Sequence, residues 1–383
     1  MKSWAQLFFI FGCLSLASLA CNKNYTLGPL AIPTPTPTLT LTPTSTITVI
    51  ATPTFTATVD WVRLGTGGYT SANYPFMTFY NGNPYVSIAD GSNGQKLSVL
   101  TYNGSSWSYL GGPGVSLGQV FNSSIFFNGG TPYVAFDDTN HTNGISTMSF
   151  NGTSWSYVGI PGFDSPYIGG ASLYIYSGTP YVAFCDWTNS NKVTVMMYNG
   201  SSWVGVGPPG FSAYAAATVY LYFYNGMPYV GYSYGPGSFV APEVDYFNGT
   251  AWVNIAAANF PAAGQDASFA VYNGNPYVSF QDPGMGYRNS VITYNGSAWV
   301  SIGSRGFTLG MTDYSSIFVY NGTPYVAFMD GAYADKTSVM MFNGSSWTYV
   351  GNPGFTPATD SGWLYVNNGT PYVATDEGVF YYP

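Results

Sequence analysis

A repeat of 48 residues constrains the fold of this chain more than any other feature of its sequence. The tripeptide Pro-Tyr-Val occurs seven times, at intervals of 48 residues except for the last interval, which is 47. A column of tryptophans keeps nearly the same spacing, and Asn-Gly precedes many of them, as at Asn103-Gly104. The repeat tryptophans are Trp61, Trp107, Trp155, Trp203, Trp252, Trp299 and Trp347. Because a period of about 20–50 residues is typical of solenoids and propellers, the repeat predicts an array of similar structural units.

Each unit contains four segments with the character of β-strands. In the sixth unit, Ile317–Tyr320 and Pro324–Phe328 flank Asn321-Gly322, the dipeptide favoured in a tight type I′ hairpin turn. Ser338–Phe342 and Trp347–Val350 flank a second Asn-Gly turn. None of the four segments carries a charge, so both faces of the sheet are apolar and need to be covered by neighbouring sheets.

The two ends of the repeat predict a closed ring. Trp61 belongs to the fourth-strand column, although nothing of its own unit precedes it, and the last unit stops after its third strand, at Val379–Tyr382. A strand around Trp61 would complete the last unit and remove the free sheet edges of an open array. We therefore predict an all-β fold for residues 60–383. It is a seven-bladed β-propeller with four antiparallel strands per blade, closed in the last blade by the N-terminal strand around Trp61. The rival fold, a parallel β-helix, has a much shorter repeat.

Two further columns predict contacts between blades. The third residue after each proline of Pro-Tyr-Val is always small, which favours close approach of neighbouring sheets. That column comprises Ser87, Ala135, Ala183, Gly231, Ser279, Ala327 and Ala374. A loop aromatic also recurs, and it either fills the gap between adjacent blades, which we favour, or stacks on sugar rings. It is present as Tyr69, Phe163, Phe211, Phe260, Phe307 and Phe355, with Val115 as the exception.

The unit resembles the kelch-type propeller repeat, whose length is near 50 residues. In that family the third strand carries a tyrosine and the fourth a tryptophan, as in Tyr102 and Trp107 or Tyr198 and Trp203 here. Kelch repeats end their second strand with Gly-Gly, whereas this chain has an acidic residue there. The resemblance implies the architecture of residues 60–383 and no particular activity, because one fold hosts many functions. The exported form also resembles bacterial surface propeller lipoproteins.

The N-terminal segment has the composition of an export signal followed by a tether. The apolar stretch Leu7–Leu16 is too short to span a bilayer and predicts a signal peptide over residues 1–20. Cys21 follows Ser18–Ala20, which is similar to a bacterial lipobox, so we expect either lipidation of Cys21 or plain secretion after cleavage. Prolines and threonines predict an extended linker over residues 21–59. The expected location is extracytoplasmic, at the bacterial cell envelope or surface. We expect the protein to contact the membrane only through the lipid anchor.

The composition argues against several classes of function. Only 6% of the residues are charged and the net charge is −8, so the chain lacks the clustered basic residues that nucleic-acid binding needs. One histidine (His141) and three cysteines predict neither a metal site nor a cofactor. There are only two glutamates, and no nucleophile motif surrounds a serine. We therefore predict that the chain is not an enzyme, and we expect a monomer.

The candidate ligand residues lie mostly at the end of the second strand. An acidic column there comprises Asp90, Asp138, Asp186, Asp282, Asp330 and Asp376, and Tyr234 takes its place in the fourth blade. These side chains either bind Ca²⁺ or sugar hydroxyls, or accept backbone N–H groups and fix the turn, which we favour. A cation six residues later predicts an ion pair across the hairpin, at Lys96, Lys192, Arg288 and Lys336. Trp187 and Trp363 stand outside the repeat columns and are further candidates for ligand contact.

Together these features predict a non-catalytic binding module at the cell surface, presented on a Pro/Thr tether, whose partner is a glycan or a surface protein. Two alternatives stay open. One is a structural envelope or interaction protein without a small-molecule site. The other is a polysaccharide hydrolase that uses two aspartates of the rim as its pair of carboxylates.

Overall fold

The structure is a computed structural model, and it describes residues 60–65, 68–69, 71–164, 170–233, 242–255, 264–358, 360 and 362–383. The predicted signal peptide, the linker with Cys21, and the repeat positions Tyr234 and Phe260 lie outside the described residues. In the described part of the chain, no helix has the length and apolar character that crossing a bilayer requires.

The described residues form seven four-stranded antiparallel sheets, which confirms the predicted seven-bladed β-propeller. The first strand of each blade lies against the first strands of its neighbours, on the inside of the ring, and the fourth strand lies on the outside. Blade 1 comprises β2 (Ala72–Tyr80), β3 (Asn83–Asp90), β4 (Lys96–Tyr102) and β5 (Trp107–Tyr109). Blade 2 comprises β6 (Val120–Asn128), β7 (Thr131–Asp138), β8 (Gly144–Phe150) and β9 (Trp155–Tyr157). Blade 3 comprises β10 (Ala171–Tyr176), β11 (Thr179–Asp186), β12 (Lys192–Tyr198) and β13 (Trp203–Gly205).

The other four blades repeat this order, and the last one takes its outer strand from the N-terminal end of the domain. Blade 4 comprises β14 (Thr218–Tyr224), β15 (Met227–Ser233), β16 (Glu243–Phe247) and β17 (Trp252–Asn254). Blade 5 comprises β18 (Gln265–Tyr272), β19 (Asn275–Asp282), β20 (Arg288–Tyr294) and β21 (Trp299–Ser301). Blade 6 comprises β22 (Thr312–Tyr320), β23 (Thr323–Asp330), β24 (Lys336–Phe342) and β25 (Trp347–Tyr349). Blade 7 comprises β26 (Gly362–Asn367), β27 (Thr370–Thr375), β28 (Gly378–Tyr381) and β1 (Val62–Arg63).

The predicted closure of the ring is confirmed by the pairing of β1 with β28. Val62 lies opposite Tyr381 and Arg63 opposite Phe380 in an antiparallel register. The innermost strand of blade 7 also packs against that of blade 1. Neither end of the array therefore leaves an exposed blade face, as the count of repeat units required.

Two kinds of connection define the two faces of the ring. Two-residue turns close the first hairpins on the face that we call the bottom; they are Asn-Gly in five blades, Gly129-Gly130 in blade 2 and Ser177-Gly178 in blade 3. Both residues of the turn have positive φ, as at Asn81 (48°) and Gly82 (79°), which a type I′ turn requires. The top face carries the loops between blades. In the described part of the chain, five blades also have a one-turn 3-10 helix there, after the second strand. These helices are Gly91–Asn93, Thr139–His141, Trp187–Asn189, Pro283–Met285 and Gly331–Tyr333.

The seven repeat tryptophans join each blade to the one before it. Each indole Nε1–H donates to the backbone carbonyl oxygen of the residue that follows the preceding blade's outer strand, over 2.7–3.1 Å. The acceptors, in the order of the tryptophans, are Val350, Leu64, Leu110, Val158, Val206, Ile255 and Ile302. These bonds run round the whole ring, because Trp61 reaches back to blade 6.

The loop aromatics fill the gaps between blades, as the favoured interpretation predicts. Four of them lie flat on the tryptophan of the following blade, with ring centroids 4.2–4.3 Å apart. The stacked pairs are Phe163 with Trp203, Phe211 with Trp252, Phe307 with Trp347, and Phe355 with Trp61. These rings are therefore used in packing.

The column of small residues marks a close approach between sheets, and the structure shows why blade 4 has glycine there. A Cβ atom added to Gly231 would lie 2.3 Å from the ring of Phe269 in blade 5. Phe269 occupies a position that is Leu173, Leu221 and Leu364 in blades 3, 4 and 7. The larger ring in blade 5 is thus accommodated by the loss of a methyl group in blade 4.

This size match gives a testable prediction. We expect Gly231→Ala to lower the free energy of unfolding by about 2 kcal/mol, because the core there has no room for a methyl group. Adding Phe269→Leu should recover part of that loss. The double variant should therefore lose less free energy of unfolding than the sum of the losses in the two single variants. Urea denaturation of the four proteins measures this coupling. Additive losses would show that the two side chains do not compete for the same space.

Candidate functional site

The aspartates that end the second strands are buried in the turns they precede. Asp90 and its equivalents are at most 1% exposed, and they are Asp138, Asp186, Asp282 and Asp330. Oδ1 of Asp90 accepts the backbone N–H of Ser92 at 3.0 Å, and Oδ2 accepts the hydroxyl of Ser98 at 2.8 Å. The Ser98 hydroxyl in turn accepts the N–H of Gly114, in the loop to the next blade, at 2.9 Å. This geometry matches the turn-fixing interpretation, and it leaves these five carboxylates turned away from the solvent.

The predicted ion pairs across the second hairpins are wrong, since the described residues contain none of them. Asp90 and Lys96 are neighbours in the register of β3 and β4, but the carboxylate is already satisfied by the turn and by Ser98. Asp282 instead accepts two bonds of 2.8 Å from Arg305 in the following loop. Asp138 lies 2.8 Å from Nδ1 of His141.

The other sequence candidates lie apart from one another. Trp187 begins the 3-10 helix of blade 3 and is 50% exposed on the top face. Asp376 lies in a two-residue turn between β27 and β28, where burial and the nearby carboxylates of Asp360 and Glu377 raise its pKa to about 7. Trp363 lies on β26 and lines the central channel. The structure therefore does not bring these candidates into one site.

The central channel opens at the top face into a cavity of about 370 Å³. The beginnings of the innermost strands of all seven blades line this cavity. In its deeper part the ring centroid of Trp363 lies 4.0 Å from that of Phe76 and 6.1 Å from that of Tyr220. Because these residues come from blades 7, 1 and 4, their rings meet across the channel and form an aromatic floor.

The three floor aromatics replace a serine that the other four blades carry at the same position. The serine hydroxyl accepts a backbone N–H from the next blade's innermost strand, as Ser124 does from Leu173 at 3.1 Å. The four serines are Ser124, Ser172, Ser268 and Ser316. Blades 1, 4 and 7 lack this serine hydroxyl and instead fill the channel with rings. These departures from the repeat converge on one place.

The residue two positions earlier in each innermost strand lies at the mouth of the cavity and varies from blade to blade. In blades 1 to 6 it is Tyr74, Asn122, Gly170, Thr218, Asp266 and Tyr314. The backbone is left-handed at Tyr74 (φ 52°), Asp266 (47°) and Tyr314 (46°), which costs about 1–3 kcal/mol for a residue other than glycine. The strand register shifts at the same points, as it does at β-bulges, which are frequent next to active sites. Strain of this kind indicates a functional site.

The ionisable groups in and beneath the described lining of the cavity are acidic. Burial, and then the charge of nearby Asp313, raise the pKa of Asp266 to about 6. Asn122 donates from Nδ2 to Oδ2 of Asp137 at 2.9 Å, and burial raises the pKa of this fully buried carboxyl to about 7. No lysine, arginine or histidine of the described residues lines the cavity. Within the described ranges, no three His, Cys, Asp or Glu side chains converge to hold a metal ion.

Two grooves on the bottom face are less specific. They have volumes of about 340 and 480 Å³ and lie between blades 1 and 2 and between blades 2 and 3. Their linings are equivalent positions of the repeat, including Gly130 and Pro132 in one groove and Gly178 and Pro180 in the other. They are therefore a product of blade packing that recurs with the repeat.

Sequence reasoning identified Trp363 and missed the rest of the cavity. The signal was present in the spacing, because the mouth and floor residues stand ten and eight residues before the proline of Pro-Tyr-Val. At the second of these positions, Phe76 and Tyr220 stand where four blades have serine. The β-bulges that turn the mouth residues have no comparable signature in the sequence.

Comparison with known proteins supports the fold. No protein-family model matches the chain, and no curated protein sequence matches it. A structure of YCF48 bound to D1 peptide is 10% identical, with a TM-score of 0.54, over 84% of this chain and 95% of the other. An alpha-L-arabinofuranosidase from Clostridium thermocellum is 14% identical, with a TM-score of 0.36, over 62% and 95% of the two chains. Trypanosoma rangeli sialidase in complex with the inhibitor DANA is 12% identical, with a TM-score of 0.43, over 82% and 55%.

These comparisons correct one expectation. The prediction that the chain is not an enzyme is wrong as an exclusion, because the similar structures include an arabinofuranosidase and a sialidase. At 10–14% identity the likeness shows the fold alone, and it assigns no activity to this chain.

Proposed function

We propose that this propeller binds a carbohydrate in the cavity at the top of its central channel. The observation that carries the proposal is the aromatic floor of Phe76, Tyr220 and Trp363, enclosed by polar side chains from the other blades. A sugar ring presents an apolar C–H face and a rim of hydroxyl groups. The rings of the floor match the face, and Asn122, Asp266 and hydroxyl side chains at the wall match the rim.

The size and the construction of the cavity support this proposal. Its volume of about 370 Å³ lies within the range of small-molecule sites, about 300–1,000 Å³. Asn122 is held by buried Asp137, so its amide is oriented before a ligand arrives. The mouth residues Tyr74 and Tyr314 are 51% and 63% exposed, which leaves their rings free to cover an entering ligand.

The decisive test compares the two irregular tryptophans. We expect Trp363→Ser to weaken oligosaccharide binding at least about tenfold, since a stacked aromatic ring contributes about 0.5–1.5 kcal/mol beyond the burial of its surface, and about 1.4 kcal/mol corresponds to tenfold. Serine is the residue of four other blades at this position, so the variant should fold. Trp187→Ala, which changes an exposed ring outside the cavity, is the matched control and should leave binding unchanged. A glycan array with wild-type protein selects the oligosaccharide, and titration calorimetry with all three proteins measures its affinity.

Two results would contradict the proposal. One is an equal loss of affinity in both variants, which would place the ligand elsewhere on the top face. The other is a wild-type protein that binds no oligosaccharide of the array while it captures a protein ligand. Melting temperatures of the variants show whether a loss of binding comes from unfolding.

We also propose that the chain acts outside the cytoplasm and is anchored through a lipidated Cys21. The support is the apolar stretch of residues 7–16, the lipobox-like Ser18–Ala20 before Cys21, and the Pro/Thr-rich residues 21–59. We further propose that the chain is related to kelch-type propellers. The support for this relationship is the repeat tyrosines and tryptophans. Cys21→Ser should move the protein from the membrane fraction to the soluble fraction of the expressing bacterium. A protein that stays in the membrane fraction after this change would contradict lipidation.

A further inference from the structure

The charge of the cavity restricts the class of carbohydrate that it takes, and this inference rests on the proposed function. We propose that the ligand is an amino sugar whose free ammonium group is held at the cavity mouth by Asp266, Tyr74 and Tyr314. The sugar ring then lies on the floor formed by Phe76, Tyr220 and Trp363.

The first observation is that no described residue in the lining of the cavity is a cation. Among the described lining residues Asp266 alone carries an ionisable acid, and Asp313 lies near enough to raise its pKa. The basic side chains of the described residues all lie elsewhere, at Arg63, Lys96, His141, Lys192, Arg288, Arg305 and Lys336. An anionic sugar would therefore meet only repulsion and lose its hydration, whereas an ammonium group would neutralise the site.

The second observation is that two tyrosines share the cavity mouth with this carboxyl group. Tyr74 and Tyr314 occupy the same position of the repeat as Asp266, in blades 1, 6 and 5. Tyr314 lies close enough to Asp266 and to Tyr74 for their charges to raise its pKa, after the larger effect of burial. Aromatic faces next to a carboxylate favour an organic cation, because the ring quadrupole attracts positive charge.

The third observation is that all three mouth residues are held in the left-handed region at a cost in free energy. A hydrogen bond of 3.0 Å from the Ser315 hydroxyl to the backbone oxygen of Asp266 joins the bulges of blades 5 and 6. The two bulges are thereby fixed relative to each other. The tyrosine and the carboxyl group are thus positioned in advance, as a binding site for a small charged group requires.

The experiment uses two probes that differ in charge. Oligomers of β-1,4-linked glucosamine carry free amines, and oligomers of N-acetylglucosamine with the same linkage and length carry neutral amides. At a pH just above 6, where more than half of Asp266 is ionised, we expect wild-type protein to bind the glucosamine oligomer at least about tenfold more tightly. Asp266→Asn should bring the two affinities within about twofold of each other. Asparagine tolerates a left-handed backbone well, so this variant keeps the geometry of the mouth.

A second variant tests the aromatic part of the mouth. Tyr74→Asn also tolerates the left-handed backbone, and it should weaken binding of the glucosamine oligomer about three- to tenfold, with little change for the acetylated oligomer. Equal wild-type affinities for the two oligomers, or tighter binding of the acetylated one, would overturn this inference and leave the proposed function standing. Failure of both oligomers together with every other sugar of the array would overturn both. A preference that survives Asp266→Asn would overturn the role of Asp266.

Discussion

Deletion of residues 60–64 is expected to prevent the propeller from folding into a stable monomer. Expressed with its linker, the shortened chain should show no cooperative thermal transition and should bind a dye for exposed apolar surface. This is the largest effect that we predict for any change of five residues in the domain. It follows from the position of this segment as the outer strand of blade 7.

The deleted segment joins blade 7 to both of its neighbours. The Trp61 indole donates to the carbonyl oxygen of Val350 in blade 6 at 2.7 Å, and its ring stacks on Phe355 at 4.2 Å. Leu64 donates its N–H to Val379 at 2.7 Å and accepts the indole N–H of Trp107 in blade 1 at 2.8 Å. Without these contacts β28 becomes a free edge, and the interfaces on both sides of blade 7 open.

A point variant with a matched control separates closure from general damage. Trp61 is 8% exposed, so Trp61→Ala should cost about 3–5 kcal/mol, as truncation of a buried tryptophan does. Trp187→Ala removes the same side chain at 50% exposure and should cost much less. Deletion of five residues within the linker, 40–44, controls for chain length. A 60–64 deletion that melts at the wild-type temperature would contradict closure of the ring by the N-terminal strand.

The fold was predictable because every blade needs the same residues to form and to pack. Each Pro-Tyr-Val lies at the start of a second strand. The repeat tryptophan stands five residues after the end of the third strand in blades 1 to 6 and joins two blades, as Trp61 does for blade 7, so both features recur in every blade. Closure by Trp61 followed from counting these units. The same regularity explains why the acidic column fixes turns, as the favoured interpretation predicted, and does not form a ligand site. A residue that recurs in nearly every blade, such as Asp90, is one that the blade itself uses.

The site was less predictable because a single cavity on the axis of a ring needs residues that differ between blades. Tyr74, Asn122 and Asp266 stand at one position of the repeat, and only their differences make the mouth asymmetric. A search for departures from the repeat would have found them, as it found Trp363. The left-handed backbone at Tyr74 and Asp266 coincides with bulges in the paired strands, and pairing register is a property of the folded sheet.

Two adjacent aspartates are expected to respond to the same substitution in opposite directions. Asp138 is surrounded by donors: the N–H of Asn140, Nδ1 of His141, and the hydroxyls of Ser146 and Tyr157, all within 3.2 Å. Asp138→Asn replaces an acceptor oxygen by an NH₂ group that faces other hydrogen-bond donors. It should therefore lower the free energy of unfolding by about 3 kcal/mol. Asp137 accepts one side-chain bond, from Asn122, and the backbone N–H of Gly170 also favours its charged form, but the effect of burial is larger than that of both contacts. Asp137→Asn should therefore stabilise the protein at neutral pH.

The sign follows from the pKa of Asp137, which burial raises from 3.8 to about 7. The folded state binds this proton more tightly than the unfolded state, so stability falls as the pH rises from about 4 to about 7. One pKa unit corresponds to about 1.4 kcal/mol, so Asp137 alone accounts for a fall on the order of 4 kcal/mol at most. Wild-type protein should be less stable at about pH 8 than at about pH 5. Asp245, Asp266, Asp360 and Asp376, whose pKa values burial also raises, act in the same direction.

Urea denaturation of wild type, Asp137→Asn and Asp138→Asn at both pH values tests this contrast. Asp137→Asn should be close to wild type at the lower pH and more stable at the higher pH, because asparagine keeps the acceptor for Asn122 and carries no charge. Asp138→Asn should be less stable than wild type at both. If Asp137→Asn instead destabilises the protein equally at the two pH values, the carboxylate of Asp137 is stabilised by its surroundings. The buried acid beneath the cavity would then be charged in the folded state, and Asn122 would be held by an ion rather than by a neutral group.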